Sequence, residues 1–151
     1  TMYLLGQPKD SFDYWEFQSE FDPKRCPIYY IPTMRVDYRS GDLSRLWILH
    51  DQIAAKRTDR KGLVQTISFS RRDEIMSRSR FASKMFINDK GEPPTDILGQ
   101  FDKSGPGNIL VSPSFGSGYD FAMKRAEWQF VCKIPFPPPS KILTARKDDD
   151  K

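Results

Sequence analysis

Asn108-Ile109-Leu110-Val111-Ser112-Pro113-Ser114-Phe115-Gly116-Ser117-Gly118-Tyr119-Asp120-Phe121 is an apolar run that enters a loop of small residues, with two glycines and one acid set between aromatics. A strand that runs into such a loop presents backbone donors and a carboxylate at the end of a parallel sheet. The chemistry of the chain is expected there.

The stretches on either side decide what sheet this strand joins. Leu63 to Phe69 is a largely apolar run of the length of a central parallel strand. Ser70 follows as an N-cap, with Arg71, Arg72, Asp73, Glu74, Ile75 and Met76 opening a helix. Residues 84–87 form a further strand that ends in the turn Asn88-Asp89-Lys90-Gly91. Thr95 caps a short helix with Ile97, Leu98 and Phe101 on one face, and Gly105-Pro106-Gly107 stops it. Leu43, Leu46, Trp47, Leu49 and Ile53 fall at helical spacing up to about Lys56. Pro27-Ile28-Tyr29-Tyr30-Ile31-Pro32 reads as an edge strand between prolines, and Trp128 to Phe136 as a last strand closed by Pro137-Pro138-Pro139. Residues 7–26 lack periodicity, so Phe12, Trp15, Phe17 and Phe21 are expected to pack back onto the body. Strands alternating with helices of these lengths imply an α/β fold, a three-layer αβα sandwich around a mostly parallel sheet.

A chain of 151 residues has room for one domain with a real core, so no disulfide staple is needed. Cys26 and Cys132 stand far apart in no metal-ligand spacing, and both read as packing residues of a reducing, cytoplasmic compartment. No apolar run approaches a membrane span, so no membrane partner is expected. The 24 Lys and Arg exceed the 20 Asp and Glu, a mild bias toward a polyanionic partner.

Several chemistries are excluded. There is no Gly-Lys dipeptide and hence no GxxxxGK[ST] phosphate loop, and Gly116-Ser117-Gly118 lacks the third glycine of a dinucleotide fingerprint. The single histidine, His50, lies on a helix beside Trp47 and Ile53 and reads as a surface or partly packed residue, not a base. Autonomous catalysis is not expected.

Two stretches remain that bind instead of react. At Ser68-Phe69-Ser70-Arg71-Arg72, a helix N-terminus with hydroxyls and guanidinium forks suits a phosphate. An ordinary N-cap with solvated arginines is the plainer alternative. In the loop after Val111, the small side chains of Ser112, Ser114, Gly116, Ser117 and Gly118 allow close approach of a ligand, or form a simple turn. Tyr29, Tyr30 and Trp128 suit either base stacking or packing.

Taken in order, Gly62-Leu-Val-Gln-Thr-Ile-Ser-Phe-Ser70, Asn108 to Phe121, and Glu127-Trp-Gln-Phe-Val-Cys-Lys-Ile-Pro-Phe-Pro137 resemble the second RecA-like domain of superfamily 2 helicases of the XPD/DinG type, which include phage-associated members. The first stretch is similar to helicase motif IV and the second to motif V. The third is similar to the strand before motif VI, and Thr1-Met2 to the trailing half of motif III. The resemblance divides the chain into an entry segment at 1–26 and a RecA-like domain at 27–151, with motif VI expected beyond Lys151.

That resemblance implies an ATP-dependent DNA helicase in which this domain holds single-stranded DNA and completes an ATP and Mg²⁺ site shared with the first RecA-like domain of the same polypeptide. Ser68, Ser70, Arg71 and Arg72 from motif IV, with Ser112 and Ser114 from motif V, would contact the DNA backbone. Gly118 and Asp120 would face the nucleotide. The fragment alone would not hydrolyse ATP, and its two cysteines neither support nor exclude an iron–sulfur cluster in the parent. The other reading is a non-catalytic α/β module that binds nucleic acid or protein.

Overall fold

The computed structural model describes residues 15, 17, 22, 24, 27–36, 41–116 and 118–134. Backbone proximity separates the chain into Thr1–Pro32 and Thr33–Lys151.

In the second unit, four strands make one all-parallel sheet. They are β1 (Gly62–Gln65), β2 (Met85–Phe86), β3 (Ile109–Ser112) and β4 (Trp128–Val131), in the spatial order β2-β3-β1-β4. β1 takes the centre because its neighbours register along its whole length, Leu63 opposite Leu110 on one side and Gln129 on the other. Side chains alternate across the strands. Val64, Ile109, Val111, Phe130 and Cys132 therefore point to one face, where they meet Leu46, Trp47 and Ala54 of helix α1 (Ser44–Ala55) and Ile75 of helix α2 (Phe69–Arg78). Leu63 and Leu110 point to the other face, where Phe101 of helix α3 (Pro94–Lys103) and Phe115 cover them. The result is the expected αβα sandwich, a RecA-like architecture with its sheet wholly parallel.

Close packing explains two oddities of sequence. Gly62 stands in register with Trp128, and a Cβ on Gly62 would lie 2.2 Å from the indole ring, so only glycine lets that indole lie across the strand. Lys61, almost buried, sends Nζ to the carbonyls of Phe101 (2.6 Å) and Asp102 (3.3 Å). Its ammonium thus satisfies the C-terminal end of α3.

Several element boundaries differ from the sequence reading. β1 stops at Gln65 and does not run to Phe69, because Ile67 turns into the left-handed region (φ 59°) and Ser68 N–H bonds back to Thr66 carbonyl at 2.7 Å. The N-cap of α2 is consequently Ser68, whose hydroxyl accepts from Arg71 N–H at 3.3 Å, and Ser70 sits inside the first turn. Pro93 and not Thr95 occupies the cap position of α3, since Pro94 already fits the first helical position. The strand expected at 84–87 shrinks to Met85–Phe86, with Ala82–Lys84 forming a 3₁₀ turn, and the strand expected from Trp128 to Phe136 ends at Val131.

Pro27–Pro32 joins no strand ladder among the described residues, and Ile28, Tyr29 and Tyr30 are exposed. Proline at both ends removes ladder donors, which undercuts the pairing that an edge strand needs. Trp15 and Phe17 are likewise exposed instead of packed. Thr1-Met2, Phe12, Phe21, Cys26, Ser117 and everything from Pro135 onward lie outside the described residues.

Candidate functional site at the carboxyl edge of the sheet

Because all four strands run the same way, the segments leaving β1, β2 and β3 converge on one edge of the sheet. This is where open α/β sheets bind ligands. Thr66, Asn88 and Ser112 stand at these three exits, each nearly or fully buried. Ser112 Oγ donates to Asn88 Oδ1 at 2.8 Å and accepts from the Ser114 N–H at 3.0 Å. Thr66 N–H reaches Ser112 carbonyl at 3.4 Å, closing the seam between β1 and β3. Buried polar groups persist only when paired. This group is paired through three elements.

The residues expected to contact an anion divide by their surroundings. Ser70 is exposed on the first turn of α2, and Ser68 and Ser114 are half-buried beside it at the strand exits. Arg71 is half-buried, and its Nη1 lies 2.7 Å from Glu74 Oε2. Burial pushes the Glu74 carboxyl up, but Arg71, the Trp47 indole and Arg78 outweigh it and hold the group below its ordinary value. Arg72 is buried. Its Nη1 donates to the Asn88 carbonyl, its Nε and Nη2 grip Asp73 Oδ1 at 2.8 and 2.6 Å, and its guanidinium lies over the Phe69 ring. Ser112 is buried too. Arg72 and Ser112 thus brace the edge, while Ser68, Ser70, Arg71 and Ser114 stand nearer solvent.

The loop after β3 is held in shape from inside. Phe115 is buried and meets Tyr119 and Phe121 edge-on, with ring centres 4.8 and 5.7 Å apart, the arrangement aromatic quadrupoles favour. Gln65 Nε2 donates to Phe115 carbonyl at 3.1 Å. Beyond it Gly118 takes φ 79°, a value glycine adopts without strain, and Asp120 is exposed. The Asp120 carbonyl accepts from Arg125 Nη1 at 2.9 Å. A cleft of about 300 Å³ opens beside this loop between Leu63, Gln65, Phe115, Tyr119, Phe121 and Gln129.

His50 is not the surface or partly packed residue expected. It is completely buried between Trp128 and Phe130, with Nδ1 3.0 Å from Asp51 Oδ1 and Nε2 without a partner. Cys132 is a free thiol in the core, pushed up to about 12 by burial, which suits packing and not reactivity. No cluster of metal-ligating side chains occurs among the described residues, and no helix there is long and apolar enough to cross a membrane.

Asn88, Arg125 and Asp102 are the contributors that sequence reasoning missed. Asn88 was read as the first residue of a turn, and a polar residue at the exit of a short buried strand is the one signal that marks it. The Arg125–Asp102 pair spans 23 positions, beyond any local pattern.

A wholly parallel sheet with helices on both faces and polar loops gathered at its carboxyl edge is the architecture of a RecA-like domain. Residues 52–150, more than half of the chain, match the family model for a helicase C-terminal domain, and the chain belongs to that family. No curated protein and no solved structure matches it. The domain is therefore part of a helicase-type enzyme.

Proposed function

We propose that the chain supplies the second motor domain of an ATP-dependent DNA helicase of the XPD/DinG type, and that it holds a single DNA strand along the carboxyl edge of its sheet. The observation that carries this reading is the adjacency of two loops. The Ser68 turn leaves β1 and the Ser114 loop leaves β3, and these strands are direct neighbours. The hydroxyls of Ser68, Ser70 and Ser114 and the Arg71 guanidinium, half-buried or exposed at the two exits, together line a path suited to successive phosphates. Ser68, Ser70, Arg71 and Ser114 make the contacts. A phosphate there shares Arg71 with Glu74. Arg72 and Ser112 hold those residues in place.

Asp120 and Gly118 form this chain's share of the nucleotide site. Their fit rests on the exposed carboxylate and on the left-handed glycine two residues before it, which turns the loop outward. ATP with Mg²⁺ supplies phosphoryl transfer when bound between the two motor domains. This chain orients one carboxylate toward that interface, and its fixed loop transmits the interface's movement to the strand-holding edge.

Titration of the chain with labelled single-stranded DNA at several salt concentrations tests the first half of the reading. Two or three phosphate contacts give log K a slope of about −2 against log salt. Binding that is absent at low salt, or indifferent to salt, overturns it. For the second half, Asp120→Ala in a polypeptide that includes both motor domains should abolish ATP-coupled unwinding while strand binding persists. Unwinding at the wild-type rate removes Asp120 from the role.

A further inference from the structure

Helix α2, the segment that leaves β2 and the loop after β3 are joined at Asn88. Its backbone carbonyl accepts from Arg72 Nη1, on the first half of α2, and its side-chain Oδ1 accepts from Ser112 Oγ at the exit of β3. Ser112 Oγ in turn accepts from Ser114 N–H, the first amide of the loop after Pro113. Asn88 is 2% exposed, Arg72 6% and Ser112 0%, so the Arg72–Asn88 and Ser112–Asn88 bonds are closed to water. The chain of contacts is continuous from guanidinium to loop amide.

We propose that Asn88 is a positioning residue that locks the anion-facing turn of α2 to the loop carrying Ser114, so that the two strand-holding segments act as one rigid unit. The inference rests on the reading that these two segments contact single-stranded DNA, but the lock itself is a property of the chain without DNA. An alternative design, two loops each held by its own strand, would leave Asn88 a turn residue with no reason to be buried. The Ser112 hydroxyl fixes the difference. It can accept from Ser114 while donating to Asn88, and without the Asn88 side chain its proton loses the acceptor that the segment after β2 supplies.

The test measures amide hydrogen exchange at Ser114 and single-stranded DNA binding, in the 151-residue chain, for three variants. Asn88→Ala should speed Ser114 exchange and weaken DNA binding by about tenfold each, the scale of coupling through a buried contact network. Asn88→Asp keeps an oxygen acceptor for Ser112 and should restore both toward wild type. Leu46→Val, a core change on α1, which makes none of these bonds, serves as the control for general loss of stability. Equal losses in Asn88→Ala and in a control of matched melting temperature overturn the inference, as does unchanged Ser114 exchange in Asn88→Ala. If the wild-type chain binds no single-stranded DNA, the functional reading falls while the exchange data still decide whether Asn88 is the lock.

Discussion

Arg125 holds Asp102 with both ends of its guanidinium, Nε to Oδ1 at 2.9 Å and Nη2 to Oδ2 at 2.8 Å, while its third nitrogen donates to the Asp120 carbonyl at 2.9 Å. One side chain thus ties the loop that bears Asp120 to the end of α3. Two-point carboxylate recognition is the strongest form of ion pair, yet both partners are partly exposed, which limits its worth to stability.

Arg125→Ala should therefore lower unfolding free energy by no more than about 1 kcal/mol, with a larger local effect. Amides from Gly118 to Arg125 should exchange faster and limited proteolysis should cut there first. Denaturant titration and exchange on the same samples separate the two. An equal loss of protection in the central strands would show that the pair supports the whole domain.

Gly62→Ala tests the contact between β1 and β4. The new methyl would meet the Trp128 ring at 2.2 Å, and the ring is wedged beside His50. Relief requires the indole to turn out of its place, at about 1–3 kcal/mol for overpacking. A melting temperature within a degree or two of wild type would mean that the indole moves freely. Gly62→Ala combined with Trp128→Leu should recover part of the loss, since the shorter side chain leaves room.

Much of this was legible beforehand, and the failures have physical causes. The apolar run Ile109–Val111 with its small-residue loop announced a buried parallel strand, and motif order placed the domain in a helicase. Ile67 explains the main boundary error. A β-branched residue rarely adopts positive φ, so periodicity extended β1 four residues too far and put the cap on Ser70 instead of Ser68. His50 misled because its helical neighbours on the exposed side, such as Ile48, gave no hint of the Trp128 and Phe130 rings that arrive from the far end of the sequence. Asn88 was hidden for the same reason: its partners lie 16 and 24 residues away, beyond local propensity.

Lys61→Met removes the charge that closes α3 while keeping the stem over Phe101, whose ring centre lies 4.3 Å from Nζ. Burial pushes the ammonium below its ordinary value, and Asp102 pulls it partly back. Without it, the Asp102 carbonyl loses this donor, while the Phe101 carbonyl keeps Ser104 N–H and Oγ. The expected cost is about 1 kcal/mol, the net worth of a typical hydrogen bond. It should appear as faster exchange in the last turn of α3. A variant as stable as wild type would assign that end of the helix to solvent.

The buried imidazole of His50 makes stability fall in mild acid. Burial among Trp128 and Phe130 lowers its affinity for a proton, and Asp51, bonded also to Ser79 hydroxyl and Arg80 N–H, raises it only in part. The folded-state value lies below the ordinary 6.5, so the unfolded chain binds the proton first. Stability is then full above about pH 6.5 and declines as pH drops through the window between the unfolded and folded values. Urea midpoints measured from about pH 7.5 to about pH 5 should fall. His50→Leu, which keeps an apolar group of similar reach between the two rings, removes the titration and should flatten that decline, leaving only the contribution of carboxylates at lower pH. A variant whose midpoint falls as steeply as wild type between about pH 7 and about pH 5.5 would shift the acid sensitivity to another group.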